Sequence, residues 1–407
     1  MSIDDSNYFL RLDYVHPKIV AQILLEKKYP KGFKGWILKN EIRPVDIYCY
    51  LYAKYGPPNG FMNFLKSNSS DNLVHWEWTL INDDGVVQIQ GQLYRTEIHL
   101  LGTFNRPAIT KQSLIDQLRD DLKNYGKQMK EIRLQLEKWT EFVNPFQTIQ
   151  STIEIQIKKL RELNLQPSED KLHTPTSRDE IATYAERFSV MAEKYTFGTG
   201  LAFGLRCMMP VLAETFLNLL IFVLAKKDIR ADVSKYKSFV SDTIQNRLSL
   251  LHVNCIGFVK PVDHAHEACR SFYQLMNDRN DLLHGNFNVS KLKIGDVYFN
   301  GNTPVKQKYE DFWDDTIGIK IASVKLERIE GSYSAVQGFI AYLMSLLSPK
   351  VCEGIDVLMS QRDLGYNEKL SRLGVLFSAR AIEGFLFFED EFLDGRFTSA
   401  FGASQQN

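Results

Sequence analysis

Between residues 266 and 286 the chain reads HEACRSFYQLMNDRNDLLHGN, and one arginine in it sits where an arginine is costly. At 100° per residue, Ala268, Cys269, Phe272, Leu275, Met276, Leu282 and Leu283 fall on one helical stripe, and Arg279 projects near its middle. A guanidinium on a core-facing line requires a carboxylate, a phosphate or a cleft between two copies to receive it. Beside it Tyr273, Asn277, Asn280 and His284 recur at i, i+4, i+7 and i+11 and form a polar seam. Arginine forks onto phosphate or carboxylate oxygens, and histidine exchanges a proton near neutral pH. The pair therefore has the means to hold an anion and to move a proton beside it. His284 takes the last helical position, with Gly285 suited to the left-handed residue that ends a helix. The architectural alternative is that Arg279 pairs with Glu214 inside a helical bundle and His284 only caps carbonyls.

An arginine followed by a histidine five positions on occurs three times, at Arg11 and His16, Arg247 and His252, and Arg279 and His284. The first lies before a proline near the N-terminus, and the second has leucine after its arginine. The third alone combines a following polar residue, a helix end, a glycine stop and a preceding buried helix. In these features it resembles the HEPN superfamily, the helical domains named for higher eukaryotes and prokaryotes nucleotide-binding. The family's mark is an arginine, usually followed by a polar residue, and a histidine near the same helix end. The buried helix MPVLAETFLNLL with its internal Glu214 also looks like the family's bundle; the first 180 residues have no part in the likeness.

The resemblance implies a metal-independent endoribonuclease whose cleft forms where two motifs meet across a homodimer. Arg279, Asn280 and His284 would be the catalytic residues, with Glu214, Tyr273 and Asn277 in support and no metal or cofactor. Cleaving RNA without a metal needs a base for the 2′-hydroxyl proton, an acid for the leaving 5′-oxygen and cations for the phosphorane charge. Two copies of the motif supply these groups in pairs, and the expected products are a 2′,3′-cyclic phosphate and a 5′-hydroxyl. Joined to a separate front domain, such a bundle looks like the toxin and phage-defence proteins of the superfamily, in which the partner domain senses a trigger or regulatory protein. The competing class is a non-catalytic dimerisation or RNA-binding interaction protein.

Several elements must position this helix. The expected fold class is α+β, with a mixed N-terminal domain over residues 1–106 that senses or interacts, a helical hairpin or coiled-coil connector and linker over 107–179, and an all-α HEPN-like bundle over 180–407. In residues 73–81, Val74, Trp76, Trp78 and Leu80 share one parity; Asn82-Asp83-Asp84-Gly85 supplies turn chemistry, and Val87, Ile89 and Leu93 follow on one parity. That spacing predicts a β-hairpin whose two tryptophans are either a binding platform or a half-buried core face. From Ile115 to Val143, apolar residues at Leu118, Leu122, Tyr125, Met129, Ile132, Leu136 and Trp139 keep a 3.5-residue repeat and predict one long helix, stopped at Asn144-Pro145. A second helical pattern runs over 149–163, and polar residues 164–179 read as a linker. The bundle is expected from helices over 181–195, 210–225, 236–251, 267–284 and 333–347, with an insertion at 287–331 and a helical C-terminal extension.

Composition sets the remaining bounds. The 407 residues are 44% hydrophobic and carry 49 basic against 49 acidic side chains, so global charge favours neither nucleic acid nor a membrane surface. Five scattered cysteines without a CxxC pair suggest neither a disulfide framework nor a structural zinc, and a reducing cytoplasm is expected. The N-terminus lacks the pattern of a signal peptide. Residues 208–225 approach the length of a membrane span but hold Pro210, Glu214, Thr215 and Asn218, so a buried bundle helix and no membrane partner are expected. His264, His266, Glu267 and Cys269 do not share one helical face as a metal set would, and Gly198, Gly200 and Gly204 miss the dinucleotide-binding spacing.

Overall fold

A computed structural model describes residues 8–16, 18–19, 22, 32–65, 72–82, 84–102, 109–284 and 293–377. The chain divides into two compact units, one of residues 1–142 with 365–407 and one of residues 143–364. The first unit runs through β1 (Asp13–Tyr14), β2 (Phe33–Leu38), α1 (Pro44–Tyr55), β3 (Trp76–Asn82), β4 (Gly85–Gly91), β5 (Thr96–Gly102), α2 (Lys111–Leu122) and α3 (Gly126–Gln135). Its five strands form an antiparallel sheet in the order β1-β3-β4-β5-β2. The expected hairpin is its centre, with Trp76 opposite Gly91, Trp78 opposite Ile89 and Leu80 opposite Val87. Asn82 Oδ1 accepts the N–H groups of Asp84 at 3.0 Å and Gly85 at 3.1 Å, which closes the turn. Gly85 has φ +149°, and a Cβ there would lie 2.2 Å from the Leu101 carbonyl oxygen, so a side chain has no room. Trp78 is fully buried and Tyr48 meets both indoles edge-on, at 5.9 Å from Trp76 and 5.3 Å from Trp78. The tryptophan row is core, not a platform.

The long helix expected from 115 to 143 does not form as one piece. A 3-10 turn at Lys123–Tyr125 separates α2 from α3, Leu136 turns extended, and the chain enters β6 (Thr140–Val143). Leu114, Ile115, Leu118 and Met129 join the buried core of the sheet and α1. A 3.5-residue stripe specifies burial and not the partner, and here the same chain supplies the partner, so the connector divides: its residues up to 142 belong to the first unit and those from 143 to the second. Asp121 of α2 is buried and accepts hydrogen bonds from Tyr50 and Lys54 of α1. Burial opposes its charge, but Lys54 and Tyr50 hold the carboxyl below the usual range. Glu97 on β5 is similar: burial alone raises it, while His99, Gln90 and the Arg95 charge bring it down to about 2. Both folded values are depressed, so their stabilisation is complete above the unfolded carboxylate range and disappears as pH falls from about 5 toward 2. The melting temperature is expected to fall through that window, and Asp121→Asn to lower it at neutral pH while flattening its pH dependence, as read by circular dichroism.

The second unit is mainly helical. Its elements are α4 (Pro145–Glu162), α5 (Arg178–Leu224), α6 (Lys227–Ala231), α7 (Val233–Ser241), α8 (Ile244–Asn254), α9 (Glu267–Leu283), β7 (Val297–Asn300), β8 (Thr303–Lys306), α10 (Ile319–Val324), α11 (Ile329–Ser345) and α12 (Pro349–Ser360). The chain then forms the hairpin of β9 (Asp363–Asn367) and β10 (Arg372–Gly374). Of the helical C-terminal extension expected from Gly374, Gly374 instead ends β10, residues 375–377 are not helical, and the remainder from residue 378 lies outside the described residues. At the start of α4, Asn144 caps the Phe146 N–H at 3.1 Å and donates to the carbonyls of Leu358 at 2.9 Å and Gln361 at 2.8 Å. The core is built on α5, whose Leu212, Phe216 and Leu220 are fully buried with Phe146 and Ile153 of α4 and with Phe272 of α9, which stacks on Phe339 of α11 at 4.1 Å.

Three expectations change here. α5 is one helix of 47 residues where two were expected, and Pro210 lies inside it. Gly198 allows a close approach, because a Cβ there would stand 2.4 Å from Leu165 Cδ1, whereas one on Gly200 would meet nothing within 4 Å. Residues 164–179 are no free linker, because Leu172 is buried with Tyr195, Trp313 and Ile317, and Asp170 accepts from the Tyr195 hydroxyl at 2.7 Å. The helix expected over 236–251 is broken between α7 and α8, where Thr243 Oγ1 caps the Asn246 N–H at 3.3 Å. α5 is long and apolar enough to cross a membrane by length and composition, and 56% of its most apolar stretch is buried within the protein.

Candidate functional site

Helix α9 is held at its first turn by His266, whose Nδ1 accepts the Ala268 N–H at 3.2 Å while its ring stacks on Tyr342 at 4.0 Å. Cys269, Phe272 and Met276 are the buried face, which fixes the rotation of the helix and carries Arg279 toward α5 and α8. The Arg279 side chain is 19% exposed, and its Nη1 lies 3.9 Å from Glu214 Oε2, beyond hydrogen-bond distance. Its hydrogen bonds go instead to Asn280 Oδ1, from Nη2 at 2.9 Å and Nε at 3.2 Å.

The arginine that Glu214 holds closely is Arg247 on α8. Its Nη2 donates to Glu214 Oε1 at 2.7 Å and its Nη1 to Asn218 Oδ1 at 2.7 Å, with the residue only 5% exposed. A second carboxylate is shared in the same way, since Asp278 Oδ2 lies 3.4 Å from Lys325 Nζ and 3.7 Å from Arg206 Nη2. Two carboxylates are thus linked to four cationic groups, a local positive surplus in a chain that is neutral overall. Burial pushes the Cys207 thiol up, against the charges of Arg206 and Arg279 that reach it.

The other expected site residues stand apart from this cluster. His284 follows the last residue of α9 as its C-cap, with its N–H on the Asn280 carbonyl at 3.0 Å and its side chain exposed. Among the described residues it shares no hydrogen bond or ion pair with Arg279. Gly285 and Asn286 lie outside the described residues. Asn277 is exposed. Tyr273 belongs to a separate chain of contacts: its hydroxyl meets His264 Nδ1 at 2.5 Å, and His264 Nε2 meets Ser249 Oγ at 2.9 Å. Burial pushes the Tyr273 hydroxyl up to about 12. The polar seam is therefore real as a helix face but serves two different neighbourhoods.

Arg247, Asn218 and Arg206 were not among the expected site residues. One signal was available, because Glu214 and Asn218 stand four apart on one helical face and Arg247 opens the second arginine–histidine spacing, whose His252 is exposed. Leucine after Arg247 places the next side chain in the core and does not disqualify the arginine. Chemically, the cluster offers a guanidinium already oriented by a neutral amide and a positive environment for an anion, while the exposed His284 imidazole stands apart from it at the end of the same helix. Among the described residues no group of three or more His, Cys, Asp or Glu side chains is placed to hold a metal ion. No protein-family model matches the chain, and no curated protein or solved structure matches it either.

Proposed function

We propose that the second unit is an HEPN-like endoribonuclease domain, working as a homodimer without a metal or cofactor in a toxin or antiviral-defence role. One observation carries this reading. Arg247 holds Glu214 at 2.7 Å, so Arg279, at 3.9 Å from the same carboxylate and partly exposed, shares an acid whose closer partner is another arginine. A surplus guanidinium supported by Asn280 suits a phosphodiester.

In this reading the 2′-oxygen attacks phosphorus while the bond to the 5′-oxygen breaks. The His284 imidazole of one protomer takes the 2′-hydroxyl proton, and that of the second copy gives a proton to the leaving oxygen. Arg279 stabilises the charge on the phosphorane oxygens, and Asn280 keeps its guanidinium in place. Glu214 acts through the arginines, balancing Arg247 and limiting where Arg279 swings. The first unit would bind the trigger or regulatory protein.

The test is end-labelled RNA incubated with the protein, with and without EDTA. The expected products are 2′,3′-cyclic phosphate and 5′-hydroxyl ends in equal yield under both conditions, with any trigger-dependent latency relieved by lysate from phage-infected cells. Products bearing 5′-phosphate, or cleavage abolished by EDTA, would overturn the mechanism. RNA bound but left intact under every condition would favour the non-catalytic binding module.

A further inference from the structure

The chain beyond α9 contains a two-stranded hairpin that the nuclease reading does not use. β7 and β8 pair antiparallel with Tyr298 opposite Val305 and Phe299 opposite Pro304, and among the described residues no third strand joins them. Every one of their residues is exposed; Phe299 stands 68% open, Tyr298 60%, and neighbouring Tyr309 84%. An isolated two-stranded hairpin is marginal in water, and apolar side chains open on both of its faces are a liability unless something covers them.

The edges of the hairpin differ. The Gln307 N–H donates to the Asp296 carbonyl at 3.1 Å, so by antiparallel alternation the backbone groups of Tyr298 and Asn300 face β8 while those of Val297 and Phe299 face outward. On the other side, the outward-facing position of β8 opposite Phe299 is Pro304, which has no N–H. Only the β7 edge offers a full set of outward donors and acceptors. Among the described residues the lysines around it are matched, since Lys293 pairs with Asp296 at 2.7 Å, Lys308 with Glu310 at 2.8 Å, and Lys306 with Asp315. With its lysines neutralised, the patch is a poor phosphate or anionic-membrane binder, but it can meet its own image without like-charge repulsion.

We infer that β7 pairs with β7 of a second copy of this chain, antiparallel about a two-fold axis at Tyr298, giving a four-stranded sheet in the order β8-β7-β7-β8. A two-fold axis normal to the sheet makes adjacent identical strands antiparallel, and Val297 and Phe299 of one copy then exchange hydrogen bonds with Phe299 and Val297 of the other. The inference deepens the dimer part of the proposed function by naming a surface, and it stands independently of whether RNA is cleaved.

In that arrangement the two Tyr298 residues are a non-hydrogen-bonded pair, with Cα atoms about 4.5 Å apart, within the range a disulfide spans. Tyr298→Cys is expected to give a disulfide-linked dimer under mild oxidation, while Val233→Cys, at a still more exposed position on α7, gives none. Phe299→Pro removes an outward N–H that β8 does not use, and is expected to weaken dimerisation by more than about tenfold in sedimentation equilibrium, as loss of central interface contacts does. Helical content should stay unchanged. A wild-type dimer that Phe299→Pro leaves intact and Tyr298→Cys does not cross-link would overturn the hairpin interface while leaving dimeric cleavage standing. A wild-type protein that stays monomeric would overturn both, and the RNA assay then reports on cleavage separately.

Discussion

His284→Ala is expected to reduce RNA cleavage by about 10²- to 10⁴-fold, the range lost when a positioned acid–base group is removed. In the proposed mechanism both copies of His284 act across a dimer, so the variant would lose acid and base together, which places the effect toward the upper end. The fold should not respond. The His284 side chain is exposed, and the interaction that fixes the residue is its own backbone N–H on Asn280, which alanine retains. Melting temperature measured beside cleavage of a labelled RNA separates the two effects. A variant that melts as the wild type and cleaves at the wild-type rate would remove His284 from the chemistry.

The second large effect contrasts two arginines that face one carboxylate. Arg247→Met is expected to destabilise the protein by about 2–4 kcal/mol. It removes the 2.7 Å bonds to Glu214 and Asn218 from a site where the arginine is 5% exposed, and Glu214 keeps some access to water, which limits the loss. Arg279→Met should behave in the opposite way. Its contacts are a 3.9 Å approach to Glu214 and hydrogen bonds to a neighbouring amide, so stability changes little while phosphate-dependent activity is lost. Urea unfolding with an unchanged m-value measures the first, and cleavage by the still-folded variant measures the second. Equal destabilisation by both would mean that Arg279 is as architectural as Arg247.

Much of the site was legible because helical periodicity is a local property. Cys269, Phe272 and Met276 could be placed on a buried face from spacing alone, and Arg279 followed as the odd cation beside them. Pairing is not local. Spacing offered Glu214 to Arg279, and the carboxylate does pair with it at 3.9 Å, but it binds Arg247 more closely, because α8 brings a second guanidinium nearer than α9 does. Tyr273 was on the right face and still in the wrong company, since the segment that brings His264 to it lies before the helix. The heptad stripe from Ile115 failed for a related reason: Leu118 and Met129 needed an apolar neighbour, and the sheet of the first unit was that neighbour.

Sequence alone determined which side chains must leave water and where turns had to fall: the β3–β4 hairpin at Asn82 and Gly85, the amphipathic face of α9, and the anomaly of a lone arginine on it. These depend on contacts within a few residues along the chain. Tertiary structure alone decided that two arginines share one glutamate, that residues 164–179 are anchored by Leu172, and that α5 continues unbroken past Gly198 and Pro210. Each of those outcomes is a competition among groups distant in sequence, settled by which element arrives closest, and no spacing along the chain encodes that distance.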